Sequence, residues 1–115
     1  MEVILDVFSG RPNPSWELTL QEVSELARRL TNLTLTTRIP TEGGLGYRGF
    51  TIVNTDKIAE LPAQISAFNG VISCSENGYT TYYNDTTSVE SWLIGLARNQ
   101  GYGAILDQLI GNEGQ

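Results

Sequence analysis

Residues 70–84, GVISCSENGYTTYYN, carry the reading on which the fold depends. Asn77-Gly78 sits between two runs rich in β-formers, and this dipeptide suits the positive φ angles of a two-residue type I′ turn, so the stretch reads as a β-hairpin. The short loop sets the register: Glu76 opposes Tyr79, Cys74 opposes Thr81 and Ile72 opposes Tyr83. Successive side chains point to opposite faces of a strand. The set with the bulky residues is therefore expected to turn inward, leaving Tyr82, Ser73 and Ser75 to face solvent or a partner.

Working outward, residues 2–8 (EVILDVF) read as a first strand with Val3, Leu5 and Val7 on one face and Ile4 and Phe8 on the other. Both faces are mostly apolar, which suits a central strand. Asp6 is the exception, near the exit into the next loop. Leu33–Ile39 is Thr-rich and alternates weakly, a strand that Pro40 ends or confines to an edge. Arg48–Thr55 reads as another strand. Between Asp56 and Asn69 the signals conflict: Ile58, Leu61, Ile65 and Phe68 have helical spacing, Pro62 interrupts them, and Asn69-Gly70 is a turn signal. A short helical passage is the preferred reading, with a strand over Gln64–Phe68 as the alternative.

Two stretches carry the capping-box pattern of a helix start. Thr19-Leu20-Gln21-Glu22 precedes Leu20, Val23, Leu26, Ala27 and Leu30 at helical spacing, with Leu18 and Val23 placed as a hydrophobic staple and Glu25 four residues before Arg29. Thr87-Ser88-Val89-Glu90 opens a second helix with Val89, Trp92, Leu93 and Leu96 inward, ended by Gly101. A last apolar turn or helix holds Ile105, Leu106, Leu109 and Ile110, and residues 111–115 read as a frayed tail. These elements predict a single α+β domain over residues 1–115, a small two-layer sandwich with a mainly antiparallel, 4–5-stranded sheet and two to three helices packed on one face. The opposite sheet face is left open as a candidate partner surface.

Composition narrows the function. The net charge of −6 and the single lysine, Lys57, provide no basic patch for nucleic acid or an anionic membrane surface. With no histidine and one cysteine, Cys74, the chain has neither a disulfide framework nor a Cys/His metal set, and it lacks the usual general base near neutral pH. No metal or cofactor is expected. The N-terminal residues have no signal-peptide character and no apolar run approaches a membrane span, so a cytoplasmic location is the expectation.

The unusual segment is FSGRPNPSWEL, residues 8–18. Pro12 and Pro14 restrict Arg11 and Asn13 to extended conformations, so the Ser9–Trp16 loop can present Arg11, Asn13 and Trp16 with little ordering cost. The same composition also suits a rigid corner in which Asn13 forms a turn and Trp16 covers the core end. A second glycine-dense loop, Gly43–Gly49, contains Gly44-Leu45-Gly46-Tyr47-Arg48-Gly49, a literal G-x-G-x-x-G. A dinucleotide site needs a helix after that pattern. Here a strand follows, so a tight turn is the better account. If the two loops share one end of the sheet, Arg11 and Arg48 converge, with Trp16 and Tyr47 beside them, on a small anionic or planar ligand.

The leading expectation is thus a non-catalytic binding or accessory domain. It recognises a partner protein or small ligand through Ser9–Trp16, with Gly43–Gly49 as a candidate second contributor; Arg11, Asn13, Trp16, Tyr47 and Arg48 are its site residues. A histidine-free enzyme working through carboxylates, with Asp6, Glu17 and Asp85 as candidate acids, is one alternative. A homo-oligomer assembling through a sheet edge is the other. Cys74, mid-strand and inward, reads as a small buried hydrophobe.

Overall fold

The computed structural model describes residues 1–7, 12–39 and 46–108. Apolar residues at alternate positions of short, β-branched segments build its sheet. The strands are β1 (Glu2–Leu5), β2 (Ser15–Glu17), β3 (Phe50–Val53), β4 (Gln64–Phe68), β5 (Val71–Glu76) and β6 (Tyr79–Asn84). They form one six-stranded sheet of order β2-β1-β3-β4-β5-β6, every pair antiparallel. One row of residues, Trp16, Val3, Ile52, Ile65, Cys74 and Thr81, crosses all the strands in register and is buried or half-buried as far as Cys74, while Thr81 is exposed.

The hairpin of β5 and β6 has the expected pairing, Glu76 with Tyr79, Cys74 with Thr81 and Ile72 with Tyr83. Asn77 and Gly78 take φ of 51° and 83°, the left-handed pair that a type I′ turn requires. The strand count exceeds the expected four or five for two reasons. Trp16, assigned to a loop, lies in β2: after the loop the chain returns along β1, with the Leu5 amide donating to the Pro14 carbonyl at 2.9 Å and Leu18 to Met1 at 2.9 Å. Gln64–Phe68, where a helical passage was preferred, is β4, paired on both sides and turning into β5 at Asn69-Gly70. Its helical spacing is incidental, because Ile65 and Ala67 alternate inward and two flanking strands satisfy its backbone. The expected strand over 33–39 is reduced to one bridge, Leu35 with Tyr83, beside bonds from Thr36 N to Tyr82 O (3.0 Å) and Asn84 N to Thr34 O (2.8 Å).

The helices are α1 (Leu20–Arg29), α2 (Val89–Ala97) and the short α3 (Gly103–Leu106), the last two separated by a wide turn at Arg98–Tyr102. The start of α1 is the predicted capping box: Glu22 N donates to Thr19 Oγ1 at 3.1 Å and Thr19 N to Glu22 Oε1 at 2.9 Å. Its inward face is Val23, Leu26, Ala27 and Leu30. Leu20, expected inward, is 87% exposed, because the first helical turn precedes the part that meets the core. The second capping box does not form. Ser88 adopts φ 60° and its side chain caps nothing; the Asp85 carboxylate takes both orphan amides, Val89 N at 2.7 Å and Glu90 N at 2.9 Å. Thr87 instead donates to the Arg29 carbonyl at 2.7 Å, while the Arg29 guanidinium bonds Glu25 at 2.6 Å and lies 5.4 Å from the Trp92 ring centre. These contacts tie the end of α1 to the start of α2.

Between sheet and helices lies one core in which Leu5, Ile52, Ile65 and Ile72 meet Leu26, Val89, Leu93 and Leu106. Asn54 is its buried polar member among the described residues. It is fully engaged, donating from Nδ2 to the Ile58 and Leu61 carbonyls (3.0 and 3.1 Å) and accepting from Ile58 N (3.0 Å), and so holds the turn between β3 and β4. Met1 is also buried, its ammonium group 2.5 Å from Asp56 and 3.3 Å from Glu17. Leu109, Ile110 and the 111–115 tail lie outside the described residues.

Candidate functional site

All described helices pack on one face of the sheet, so the other face keeps the residues that point away from the core. Its central row runs Ile4, Thr51, Ser66, Ser73 and Tyr82 across β1, β3, β4, β5 and β6. Along this row the surface dips into a groove of about 450 Å³, walled by Asp6, Arg48, Phe68 and Ile39. Hydroxyls dominate the floor because Thr and Ser tolerate a pleated surface without needing burial.

A local irregularity brings the charged pair to this groove. Just beyond the pairing of Leu5 with Phe50, the Asp6 amide donates to the Gly49 carbonyl (3.0 Å) while the Asp6 carbonyl accepts from Arg48 N (2.8 Å). Two residues therefore oppose one, a bulge that re-aims a side chain. Gly49 is required at this point: its φ is +84°, and a Cβ would sit 2.2 Å from the Ala67 carbonyl oxygen. The bulge sets Arg48 beside Asp6 on the groove wall.

Asp6 is half-buried, and Thr51 Oγ1 donates to its Oδ2 at 2.7 Å. Burial pushes its pKa above the ordinary carboxylate value, against the lowering effects of the Thr51 hydrogen bond and the Arg48 charge. The hydroxyls of Ser66, Ser73 and Tyr82 take part in no hydrogen bond among the described residues. A ligand in the groove would meet one carboxyl group, one guanidinium and a set of hydroxyls able both to donate and to accept.

The residues singled out from sequence go to different places. Arg48 lines the groove. Asn13 accepts from Val7 N at 3.0 Å through Oδ1 and braces the two ends of the loop. Trp16 is 8% exposed and faces the core, its ring 6.3 Å from Phe50 and 6.0 Å from Tyr102. Its Nε1 is buried and has no partner among the described residues. Tyr47 donates its hydroxyl to Glu90 and packs edge-on to Phe50 and Phe68; burial, then Glu90, raises its pKa. Ser9, Gly10 and Arg11 lie outside the described residues, as do Gly43, Gly44 and Leu45, and with them the proposed meeting of Arg11 and Arg48.

Of the candidate acids, Glu17 pairs with the N-terminal ammonium and Asp85 caps α2; only Asp6 reaches the groove. Ser73 and Tyr82 lie on the face that the sequence left open to solvent or a partner, whereas Thr51 and Ser66 escaped the sequence reading, since Ser and Thr on an outward face are ordinary surface residues. The alternation of hydroxyls opposite Ile52, Ile65 and Ile72 was the available signal.

A second groove, about 600 Å³, lies on the core side where α1 ends short of β5 and β6, lined by Leu30, Leu33, Leu61, Pro62, Cys74 and Tyr83. Burial pushes the Cys74 thiol up to about 11, so it stays protonated near neutral pH, unlike a reactive thiolate. Among the described residues no three His, Cys, Asp or Glu side chains cluster to hold a metal ion, and no helix is long and apolar enough to cross a membrane. No family model matches the chain, and no curated protein or solved structure matches it.

Proposed function

We propose that this chain is a non-catalytic binding domain that takes a small ligand in the open-face groove, with Asp6 and Arg48 as its polar anchors. The carrying observation is a partly desolvated carboxyl group set beside an arginine, above hydroxyls that have no partner among the described residues. Burying a carboxyl group costs stability, and Asp6 recovers part of that cost through Thr51 while the neighbouring Ser66 and Ser73 hydroxyls have no partner among the described residues. Such local costs gather where a protein recognises something. The volume also falls in the usual range for small-molecule sites.

Binding is favoured over turnover because general acid–base hydrolysis by carboxylates needs two of them flanking the reacting bond. Asp6 has no second carboxylate beside it among the groove-lining described residues. Assembly through the β6 edge is disfavoured, since residues 34–36 already occupy the backbone of Tyr82 and Asn84.

The test is an amide-resolved NMR titration of the ¹⁵N-labelled protein with glucose, glycine, acetate and inorganic phosphate in turn. At least one probe should shift the amides of Asp6, Arg48, Thr51, Ser66 and Ser73 in a saturable way. Arg48→Ala should remove the response with signal dispersion intact. Silence of these amides to every probe would overturn the reading.

A further inference from the structure

We infer that the occupant of the open-face groove is a neutral polyol, a sugar ring whose hydroxyls bridge Asp6 and Arg48; this rests on the binding reading above and specifies its ligand class. Charge comes first. Among the described residues the groove wall carries one acidic and one basic side chain, Asp6 and Arg48, which formally cancel. A phosphate or a dicarboxylate would meet Asp6 as a repulsive neighbour, and an organic cation would meet Arg48 in the same way. A zwitterion such as an amino acid would have to draw the two apart, although the Arg48 charge already acts on the Asp6 carboxyl.

A hydroxyl imposes no such separation. It donates to a carboxylate and accepts from a guanidinium at once, so two neighbouring hydroxyls of a sugar can bridge the pair without net charge transfer. The floor repeats this chemistry. Ser66 and Ser73 are cross-strand partners and Tyr82 is the next in the row. Their hydroxyls rise from strands ~4.8 Å apart. Each is able to donate and accept, which matches a ligand whose every polar group does the same.

The walls complete the match. Phe68 and Ile39 line the groove together with Ser66 and Ser73. Sugars have an apolar C–H face as well as a polar rim, and an aromatic ring beside a hydroxyl row offers both surfaces to one molecule. A groove of about 450 Å³ accommodates a molecule of monosaccharide or disaccharide size.

The experiment separates this inference from the reading it rests on. The ¹⁵N-labelled chain is titrated with glucose, galactose, mannose and N-acetylglucosamine, and in parallel with glycine, acetate and inorganic phosphate. At least one sugar should shift the Asp6, Thr51, Ser66 and Ser73 amides with a Kd of about 1 mM or tighter. Asp6→Asn and the double variant Ser66→Ala, Ser73→Ala should each weaken that binding by ~10-fold or more with dispersion unchanged. A glycan array tells a free sugar from one displayed at the end of a longer chain, and binding in either form supports the inference. If glycine, acetate or phosphate shifts these amides and no sugar does, in solution or on the array, the polyol class is wrong while the groove remains a binding site. If nothing moves them and the array is blank, both readings fall.

Discussion

Ile65 and Ser66 are neighbours in β4 and belong to different environments. Ile65 is fully buried between Ile52 and Cys74, under the helices, whereas Ser66 lies between Thr51 and Ser73 on the groove floor. The same contrast repeats along β3, between Ile52 and Thr51, and along β5, between Ile72 and Ser73. On the core face nearly every described group is apolar; Asn54 is saturated with hydrogen bonds, and the Trp16 indole N–H is the buried polar group left without a partner among the described residues. The open face carries the Ser66, Ser73 and Tyr82 hydroxyls, which have no partner among the described residues, and a carboxyl group held against its solvation preference. One face supplies the stability, so the other is free to be chemically unsettled.

The largest effect that could break this contrast is on stability. Ile65→Ala should cost ~2–5 kcal/mol by urea denaturation, from lost burial and a residual cavity. Ser66→Ala, one residue away, should stay within about 0.5 kcal/mol. Comparable losses would mean that the open face is structural after all.

Trp16 sharpens the comparison from the core side. Phenylalanine there gives up indole volume but removes a buried N–H that has no partner among the described residues, whose cost is about 1–3 kcal/mol. The two effects oppose each other. Trp16→Phe is expected to fall within about 1 kcal/mol of the parent, against ~3–5 kcal/mol for Trp16→Ala. A large loss on Trp16→Phe would show that the indole nitrogen is engaged.

A smaller effect, opposite in sign, is expected at Asp6. Because its folded pKa is raised, the ionised carboxyl opposes folding. That penalty is fully present above the folded pKa and disappears as pH falls below the unfolded value near ~3.9. Asp6→Asn should thus raise the melting temperature slightly at pH 7, and the gain should vanish in acid, even as the variant loses groove binding. A lower melting temperature at pH 7 would indicate that the charge is stabilising.

The smallest effect is alkaline. Asp56, the larger cause, and then Glu17 raise the N-terminal ammonium above its ordinary 8.0, against desolvation. Its contribution is fully present below pH 8.0 and is lost as pH rises through the higher folded value. A modest decline in melting temperature above pH 8, flattened in Asp56→Asn, is the expected result. An unchanged slope in that variant would dissociate the ion pair from stability.

What could be read from sequence follows from how local each signal is. Asn77-Gly78 and the Thr19 to Glu22 box are settled within a few residues, by turn geometry and by two reciprocal hydrogen bonds. Gln64–Phe68 was ambiguous because five residues are too few to separate the two periods, and pairing on both sides decided the matter. The cap of α2 misled for a related reason. The motif at 87–90 is intact, but the left-handed Ser88 leaves Asp85 to reach the two orphan amides. Among the residues lining the groove, Arg48 was legible as an arginine outside the helices. Trp16 was not placeable, since a tryptophan between prolines looks the same whether it faces a ligand or the core.

By itself the sequence determined the hairpin and its register, the start of α1, the inward pattern of β1 and the exclusion of histidine or disulfide chemistry. Each depends on residue identity or on contacts within one turn of chain. Tertiary structure alone decided that β2 returns along β1 and that β4 is a strand. It alone set Arg48 beside Asp6, across more than forty positions, through a bulge that only a glycine permits. The physical reason is that the pairing of distant strands is selected by burying a whole face at once, and no short window of residues contains that free energy.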